Sequence, residues 1–282
     1  MDELVNLSEA IDDIDALGDS FWSSSLEDRK KKEIEHADRR YDVEHQKMVE
    51  AQDTFEKFYG NKKYYKVTQR SSSYVDNWIR TESKDKIFLD FCCGQGENAR
   101  KAAHAGASLS LGVDISSQGI KVARQISNDE DLNNIRFFQA DAENTKLPDN
   151  SIDSIICSGV LHHLDMSYAL PELRRILKPG GKILAVEALD YNPLIKLYRL
   201  LTPEMRTEWE KAHILSLKDV KFSQRFFELG HLNFWHVTAY VGGKFPFLAT
   251  PLDYLDQLLE KIPLVRLMGW MFTFELIKPN EK

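Results

Sequence analysis

The sequence predicts an α/β fold, in which an open and mostly parallel β-sheet carries helices on both faces. Three observations support this prediction. Short apolar segments alternate with helical segments from residue 86 onward, the segment FLDFCCGQGENA at residues 88–99 changes from an apolar strand to a glycine-containing turn, and Asp114 ends the next apolar segment. Such alternation is typical of βαβ units. Ligands of these sheets bind beyond the carboxyl ends of the strands, next to the first strand.

The apolar pattern also predicts the position of each element. We expect strands at Ile87–Cys93, Leu109–Asp114, Ile135–Asp141, Ile152–Ser158 and Ile183–Leu189. Between them we expect helices at Asn98–Ala105, Gln118–Ser127 and Ala169–Leu177. After Leu189 the alternation is less regular, and we expect a helical insertion with Pro203 near a helix start, a helix at Ser216–Leu229, a strand at Leu232–Tyr240 and a last strand at Trp270–Ile277.

Composition restricts the class of partner. The chain has 282 residues and a formal net charge of -7, which argues against nucleic acid as a partner because nucleic-acid-binding proteins usually present a basic face. Its three cysteines, Cys92, Cys93 and Cys157, fit no disulfide framework and no metal-ligand spacing, so we expect reduced thiols, a cytoplasmic setting and no metal. The acidic first residues lack a secretory pattern, and no apolar run is long enough for a membrane-spanning helix.

The glycine-containing turn predicts a bound cofactor that contains ribose. Gly94 and Gly96 let the backbone turn tightly and approach a ligand without a Cβ in the way. Asp114 follows Gly96 by eighteen residues, and an acidic residue at about this distance typically accepts hydrogen bonds from ribose hydroxyls. GQGENA also fits the G-x-G-x-x-A pattern of dinucleotide-binding proteins, and a tight turn without any ligand is a further alternative.

From about residue 86 to residue 190 the sequence resembles the class I S-adenosylmethionine-dependent methyltransferases. The resemblance depends on the turn after Asp90, on Asp114, on the pair Asp141 and Ala142, on LPDNSID and on LKPGG. It implies a Rossmann-like, seven-stranded sheet with an antiparallel last strand, and S-adenosylmethionine as cofactor. The cofactor-binding residues that it implies are Asp90, Cys92, Gly94, Gly96, Asp114, Ile115, Asp141, Ala142 and Ser158. Cys92 departs from the pattern, because the family has a glycine there.

The resemblance implies methyl transfer by in-line displacement from the sulfonium, and a hydroxyl or carbon-acid acceptor would also require a base. As candidate bases we name His162, His163 and Glu187, with His213 as a weaker alternative. For the acceptor we name Tyr64, Tyr65, Tyr191, Arg199 and Arg206, with Tyr198 and Trp209 as further wall residues. The acceptor is expected to be a small molecule or a lipid- or glycan-linked one. A catalytically inactive binding subunit and a nicotinamide-dependent oxidoreductase are the alternatives.

The chain outside the sheet is expected to form separate parts. Residues 1–25 are acidic and predict a disordered tail, and residues 26–85 predict a helical arm that serves as a lid. In this arm we expect the basic run at residues 29–32 to be a solvated face and the aromatic residues between Phe55 and Tyr65 to dock on the core. Residues 86–282 form the catalytic domain, in which residues 192–216 and 241–265 are insertions that shape or cap the acceptor site.

The insertion at residues 241–265 raises the question of its partner. It is unusually apolar, but Asp253, Asp256 and Glu260 disfavour contact with anionic lipid. An internal cap or a dimer contact is therefore favoured, and a peripheral contact with a membrane is the alternative. We expect a monomer or a homodimer.

Overall fold

A computed structural model describes residues 2–46 and 67–280. Phe55, Phe58, Tyr59, Tyr64 and Tyr65, which we expected to dock on the core or to reach the acceptor, lie outside the described residues.

Seven strands form one sheet in the order β3-β2-β1-β4-β5-β7-β6. Their bounds are β1 Ile87–Phe91, β2 Leu109–Asp114, β3 Ile135–Gln139, β4 Ile152–Ser158, β5 Leu177–Ala188, β6 Glu228–Trp235 and β7 Met271–Ile277. The first five strands pair in parallel, and β7 runs antiparallel to both β5 and β6. This arrangement confirms the predicted fold class, including the antiparallel last strand.

Helices precede the sheet and connect its strands. Their bounds are α1 Asp2–Ser25, α2 Asp28–Gln46, α3 Gln69–Ser83, α4 Glu97–His104, α5 Ser117–Asp129, α6 Met166–Ile176, α7 Pro193–Leu201, α8 Glu208–Ala212, α9 Leu217–Ser223 and α10 Ala249–Leu259. Short 3₁₀ turns lie at Leu161–His163, Pro203–Met205, Ala239–Gly243, Pro246–Leu248 and Val265–Met268. In the described part of the chain, no helix is both long and apolar enough to cross a membrane.

The central strand is buried on both sides, which explains its continuous apolar sequence. Successive residues of a strand point to opposite faces. Phe88 packs with the helices of one face, whereas Leu89 and Phe91 belong to the larger cluster on the other face. All five residues of β1 are buried. The sheet is therefore the centre of two hydrophobic layers, and its carboxyl edge is left for the loops.

Residues 1–25 differ from the expected disordered tail, because α1 packs into the core. Leu7, Ile11, Ile14 and Trp22 are at most 3% exposed and belong to the larger hydrophobic cluster. The spacing of four and three residues places Leu7, Ile11 and Ile14 on one helical face, and Trp22 follows a kink at Gly18. The acidic composition conceals this pattern, although Asp12 and Asp15 pair with Arg136 and Arg124.

The arm also differs from the expectation at its second described helix. Val75, Trp78 and Ile79 of α3 are buried in the smaller hydrophobic cluster against Phe88. The layered domain therefore includes α3 and begins before residue 86.

Two element boundaries near the insertions were wrong. The helix expected at Ser216–Leu229 ends at Ser223, and β6 begins at Glu228 and ends at Trp235 instead of Tyr240. Leu229 pairs with Leu276 of β7, so hydrogen bonding to the sheet overrides the helical pattern of this segment.

Candidate functional site

A large cavity of about 1030 Å³ lies beyond the carboxyl ends of β1, β2 and β4. The residues that line it come from the glycine-containing turn, the loops after β2, β3 and β4, helix α2 and the insertion around α7. Its position is the one that the parallel sheet predicts for a ligand.

The glycine-containing turn needs residues that accept a left-handed backbone. Cys92, Gly94 and Gly96 have φ values of 58°, 52° and 71°. A Cβ on Gly96 would lie 2.2 Å from a ring carbon of Phe137, so a side chain cannot fit there. Gly94 and Cys92 line the cavity, whereas Gly96 serves the packing of the turn against the sheet.

Asp114 holds the turn in place and also faces the cavity. Its carboxylate accepts hydrogen bonds from the backbone N–H groups of Gly94 and Ser116, both at 2.8 Å. Burial raises the pKa of Asp114, although these two hydrogen bonds oppose the shift. A carboxylate with two oxygens can accept further hydrogen bonds from a ligand in the cavity.

Asp90 is a second buried carboxyl group beside the turn. It is 2% exposed, and it accepts a hydrogen bond from the backbone N–H of Ala99 in α4. Burial raises its pKa to about 7, with the nearby carboxylates of Asp114 and Glu97 adding to the shift. A positively charged ligand group would stabilise the ionised form of Asp90.

Asp141, near the start of the loop after β3, is bound to helix α2. Its carboxylate accepts hydrogen bonds from Lys30 Nζ at 2.6 Å and from the backbone N–H of Glu143 at 3.0 Å. Lys30 also contacts Glu143 at 2.8 Å, and Arg29 contacts the same carboxylate at 2.6 Å. Burial alone would lower the pKa of Lys30, but its hydrogen bonds to the two carboxylates raise it.

Helix α2 therefore covers the end of the cavity next to Asp141. This corrects the expectation for residues 29–32, since Lys30 is only 9% exposed and is not part of a solvated face. The sequence contains no local signal for this contact, because the partners are more than 100 residues apart. Four consecutive basic residues are in most proteins a solvated surface.

Glu187 and His162 form a hydrogen-bonded pair beside the cavity. Glu187 Oε1 accepts the backbone N–H groups of Val160 and Leu161 at 2.9 and 2.8 Å, while Oε2 lies 2.7 Å from His162 Nδ1. Glu187 is 1% exposed and does not line the cavity itself, whereas His162 does. With Nδ1 held by this carboxylate, Nε2 is the ring nitrogen that can accept a proton, and it lies 3.8 Å from Glu210 Oε1.

His163 lies next to this pair but is bound to helix α2. Its Nδ1 lies 2.9 Å from Glu33 Oε2. Burial would lower the pKa of His163, but the hydrogen bond to Glu33 and the charges of Glu210, Glu33 and Glu187 together raise it. His163 is therefore suited to a structural ion pair that holds the cover, and less suited to accepting a proton.

His162, His163 and Glu210 also place three potential metal-ligand atoms within 4.8 Å of one another. Arg206 Nε lies 3.5 Å from Glu210 Oε1 and supplies a positive charge at this position.

Helix α7 forms the wall opposite the glycine-containing turn. Tyr198, Arg199 and Arg206 line the cavity. Both arginines already have partners, since Arg199 contacts Asp190 at 3.3 Å and Arg206 contacts the carbonyl of Thr202 at 3.2 Å. The two cationic groups of this wall are therefore partly neutralised, and the rest of the wall is largely apolar.

The structure brings most of the expected site residues together. Asp90, Cys92, Gly94, Asp114, Ile115, Asp141, Ala142, Ser158, His162, His163, Arg199 and Arg206 all line the cavity. Tyr191 does not line it, because its side chain packs against the core and its hydroxyl accepts the N–H of Leu217. His213 is exposed and stacks on Trp209, and neither side chain lines the cavity.

The domain has recognisable relatives among known proteins. The family model described as a methyltransferase domain matches residues 89–185. The chain is 34% identical over 100 residues to an uncharacterized methyltransferase, YcgJ, of Bacillus subtilis, and 37% identical over 103 residues to the ubiquinone/menaquinone biosynthesis C-methyltransferase UbiE of Shewanella frigidimarina. Each match covers 35% of this chain and 39% or 41% of the relative, so it spans about two fifths of the relatives' length.

Solved structures share the fold over a larger part of the chain. The [4+2]-cyclase SpnF aligns with a TM-score of 0.55 at 18% identity, over 76% of this chain and 83% of that chain. The geranyl diphosphate C-methyltransferase of Streptomyces coelicolor, solved with Mg²⁺, geranyl diphosphate and S-adenosyl-L-homocysteine, aligns with a TM-score of 0.54 at 14% identity, over 76% and 80%. At these identities the likeness concerns the fold alone.

The strand order and the matched segment together define a methyltransferase domain of the class I, Rossmann-like fold. Residues 89–185 of this chain belong to the methyltransferase domain family, whose cofactor is S-adenosylmethionine.

Proposed function

We propose that this protein transfers the methyl group of S-adenosylmethionine to a hydroxyl or an acidic carbon of a small or lipid-linked acceptor. The observation that carries this proposal is one cavity that contains both Asp114, beside the glycine-containing turn, and His162, held by Glu187. The turn and Asp114 suit the cofactor, and His162 suits the acceptor.

The arrangement of acids supports one orientation of the cofactor. In this proposal Asp114 accepts hydrogen bonds from the ribose hydroxyls, and the loop of Asp141 and Ala142 lies beside the adenine. The buried carboxyl of Asp90 then faces the methionine part, where the ammonium group stabilises its ionised form. The sulfonium methyl group would point toward the wall formed by α7.

The reaction needs alignment and the removal of one proton. The acceptor oxygen or carbon attacks the methyl carbon as the carbon–sulfur bond breaks, and the thioether leaves without charge. His162 Nε2 takes the acceptor's proton, and Glu187 stabilises the resulting imidazolium. Holding the two reactants in line can supply about 7 kcal/mol or more of the barrier.

A methyl-transfer assay with His162→Gln tests this assignment. Purified protein is incubated with S-adenosylmethionine that carries a labelled methyl group and with a panel of phenolic, enolic and polyprenyl-bearing acceptors. We expect label in at least one acceptor. Turnover of the variant should be lower by about 100-fold or more, since about 100-fold is the lower end of what a general base contributes. Cofactor affinity should not change, because glutamine keeps a polar side chain of similar reach.

The proposal is contradicted if His162→Gln turns over as fast as the unmodified protein on an acceptor that is methylated. His213→Gln is the matched control, since this exposed histidine does not line the cavity.

An inactive binding subunit is a second candidate, and one observation favours it. Lys30 already occupies an oxygen of Asp141, which the resemblance assigns to adenine. If this contact excludes the cofactor, S-adenosylmethionine will not raise the melting temperature, whereas a ligand at 100 times its Kd stabilises by about 2.7 kcal/mol. The same assay with a nicotinamide dinucleotide tests the oxidoreductase alternative.

A further inference from the structure

Two insertions beside the cavity expose an unusual amount of apolar surface. In α7 the exposed leucines are Leu194, Leu197, Leu200 and Leu201, at 53–77% exposure. In residues 244–264 the exposed large apolar side chains are Phe245, Phe247, Tyr254, Leu255, Leu258, Ile262 and Leu264, at 42–79% exposure. Contiguous apolar surface of this kind marks a binding surface in most proteins. We call these two sets of side chains the apolar rim.

The acids of the second segment do not reach this surface. Arg70 of α3 binds Asp253 at 2.6 Å and holds Glu260 with two hydrogen bonds of 2.7 and 2.8 Å. Asp256 is fully buried and accepts three hydrogen bonds from Thr238 and Ala239. Asp256 and Glu260 are thus turned inward, whereas Asp253 has a side chain that is 31% exposed and is paired with Arg70.

The charge that remains on the surface is positive. Among residues 193–201 and 244–264, Lys196, Lys244 and Lys261 are exposed and no carboxylate is. Lys196 is paired with Asp190 at 2.9 Å, so the positive charge of this surface comes mainly from Lys244 and Lys261 of the second segment. This contrasts with the net charge of -7 of the whole chain. Apolar side chains with lysines between them match a lipid surface that contains anionic headgroups.

The apolar rim is continuous with the cavity. Leu194 is 62% exposed and also lines the cavity, next to Tyr198. Tyr240, in the turn that precedes the second segment, lines the same cavity. Asn192, which caps α7, donates a hydrogen bond to the carbonyl of Met268, just after that segment. Both parts of the apolar rim therefore border one opening.

We propose that the apolar rim docks on the surface of a lipid bilayer and opens the cavity toward it. Each exposed apolar side chain would enter the boundary between headgroups and hydrocarbon, while the lysines contact anionic headgroups. That the bilayer also delivers the acceptor, as a molecule with a hydrocarbon chain and a polar reacting end, rests on the proposed methyl transfer. The docking itself does not depend on it.

Flotation with lipid vesicles tests the docking on the full chain. One set of vesicles consists of phosphatidylcholine, and in the second set phosphatidylglycerol replaces part of it. We expect the protein to float with the vesicles and more of it with the anionic ones. Phe247→Glu and Leu258→Glu should each lower the partition about tenfold, because burying such a side chain contributes a factor of this order.

Tyr168→Glu is the matched control, since Tyr168 of α6 is 61% exposed and Leu258 is 62% exposed. We expect this variant to float like the unmodified protein. S-adenosylmethionine affinity, measured on all variants, reports folding and the cofactor site separately from docking. Failure of cofactor binding with intact flotation would therefore contradict only the proposed function.

Two results would overturn the docking proposal. One is a protein that binds neither set of vesicles. The other is a protein that binds no vesicles and sediments as a dimer, and that Leu258→Glu converts to a monomer. The apolar rim would then be covered by a second copy of the chain.

Discussion

Lys30 Nζ lies 2.6 Å from Asp141 Oδ2 and 2.8 Å from Glu143 Oε2, so one lysine joins helix α2 to the loop after β3. All three side chains are at most 12% exposed. The contact places a helix from the first fifty residues over the cavity end that the resemblance assigns to adenine.

Replacement of Lys30 by methionine tests the strength of this cover. The variant leaves two buried carboxylates with one cation fewer, and breaking such a pair costs about 3 kcal/mol. We therefore expect the free energy of unfolding, measured in urea, to fall by about 3 kcal/mol. Lys32→Met is the matched control, because Lys32 is exposed, and it should change little. Equal stability of the two variants would mean that α2 is not held through Lys30.

Replacement of Cys92 by glycine tests whether the backbone of the turn is left-handed. The φ of 58° at Cys92 is unfavourable for a side chain, by about 1–2 kcal/mol, and favourable for glycine. The gain in Cys92→Gly is offset by greater freedom of the unfolded chain, so we expect stability within about 1 kcal/mol of the unmodified protein. S-adenosylmethionine affinity should be retained.

Cys92→Val provides the contrast for this position. A β-branched side chain is strained at positive φ, and we expect urea unfolding to show a loss of about 2 kcal/mol. A valine variant as stable as the unmodified protein would contradict the left-handed backbone. Loss of cofactor binding in Cys92→Gly would instead indicate a specific contact of the thiol.

His236 predicts a dependence of stability on acid. It is fully buried, and burial together with the charge of Arg70 lowers its pKa to about 4. In the unfolded chain a histidine titrates near pH 6.5, so between about pH 6.5 and 4 the unfolded state binds the additional proton. Stability is therefore complete above pH 6.5 and falls as the pH approaches 4, by about 3 kcal/mol from this residue.

His236→Asn should remove this part of the acid sensitivity, since asparagine tolerates the φ of 66° at this position. The measurement is the free energy of urea unfolding at a series of pH values from 7 to 4, roughly the range of the titration. His231→Asn, at an exposed position of β6, should show the same dependence of the unfolding free energy on pH as the unmodified protein. An unchanged slope in His236→Asn would show that His236 is not held neutral.

The local sequence was sufficient for the sheet and for the cofactor side of the cavity. Asp114 and the glycines after β1 follow from backbone geometry, because a left-handed turn and a strand-end acid leave a pattern within thirty residues. The contact of Lys30 with Asp141 leaves no such pattern, since it joins segments that are 111 residues apart.

Composition alone did not show where the acids of two segments lie. Asp12 and Asp15 of α1 pair with Arg136 and Arg124, and Asp256 and Glu260 of residues 241–265 are bound by backbone N–H groups and by Arg70. Composition counts charges but does not show where they point. Only the packed structure separates an acidic surface from an apolar surface supported by buried acids.

The central claim is that Asp114 and the glycine-containing turn bind S-adenosylmethionine, and isothermal titration calorimetry of the unmodified protein and of Asp114→Asn tests it most directly. Asparagine keeps the shape of the side chain but loses charge-assisted hydrogen bonds, worth about 1.5–3 kcal/mol each. Asp129→Asn, at the end of α5 and outside the cavity, is the control. We predict one site in the unmodified protein and in the control, and binding weaker by about tenfold or more in Asp114→Asn. Equal affinity of all three folded proteins, or no binding to any of them, would contradict the account.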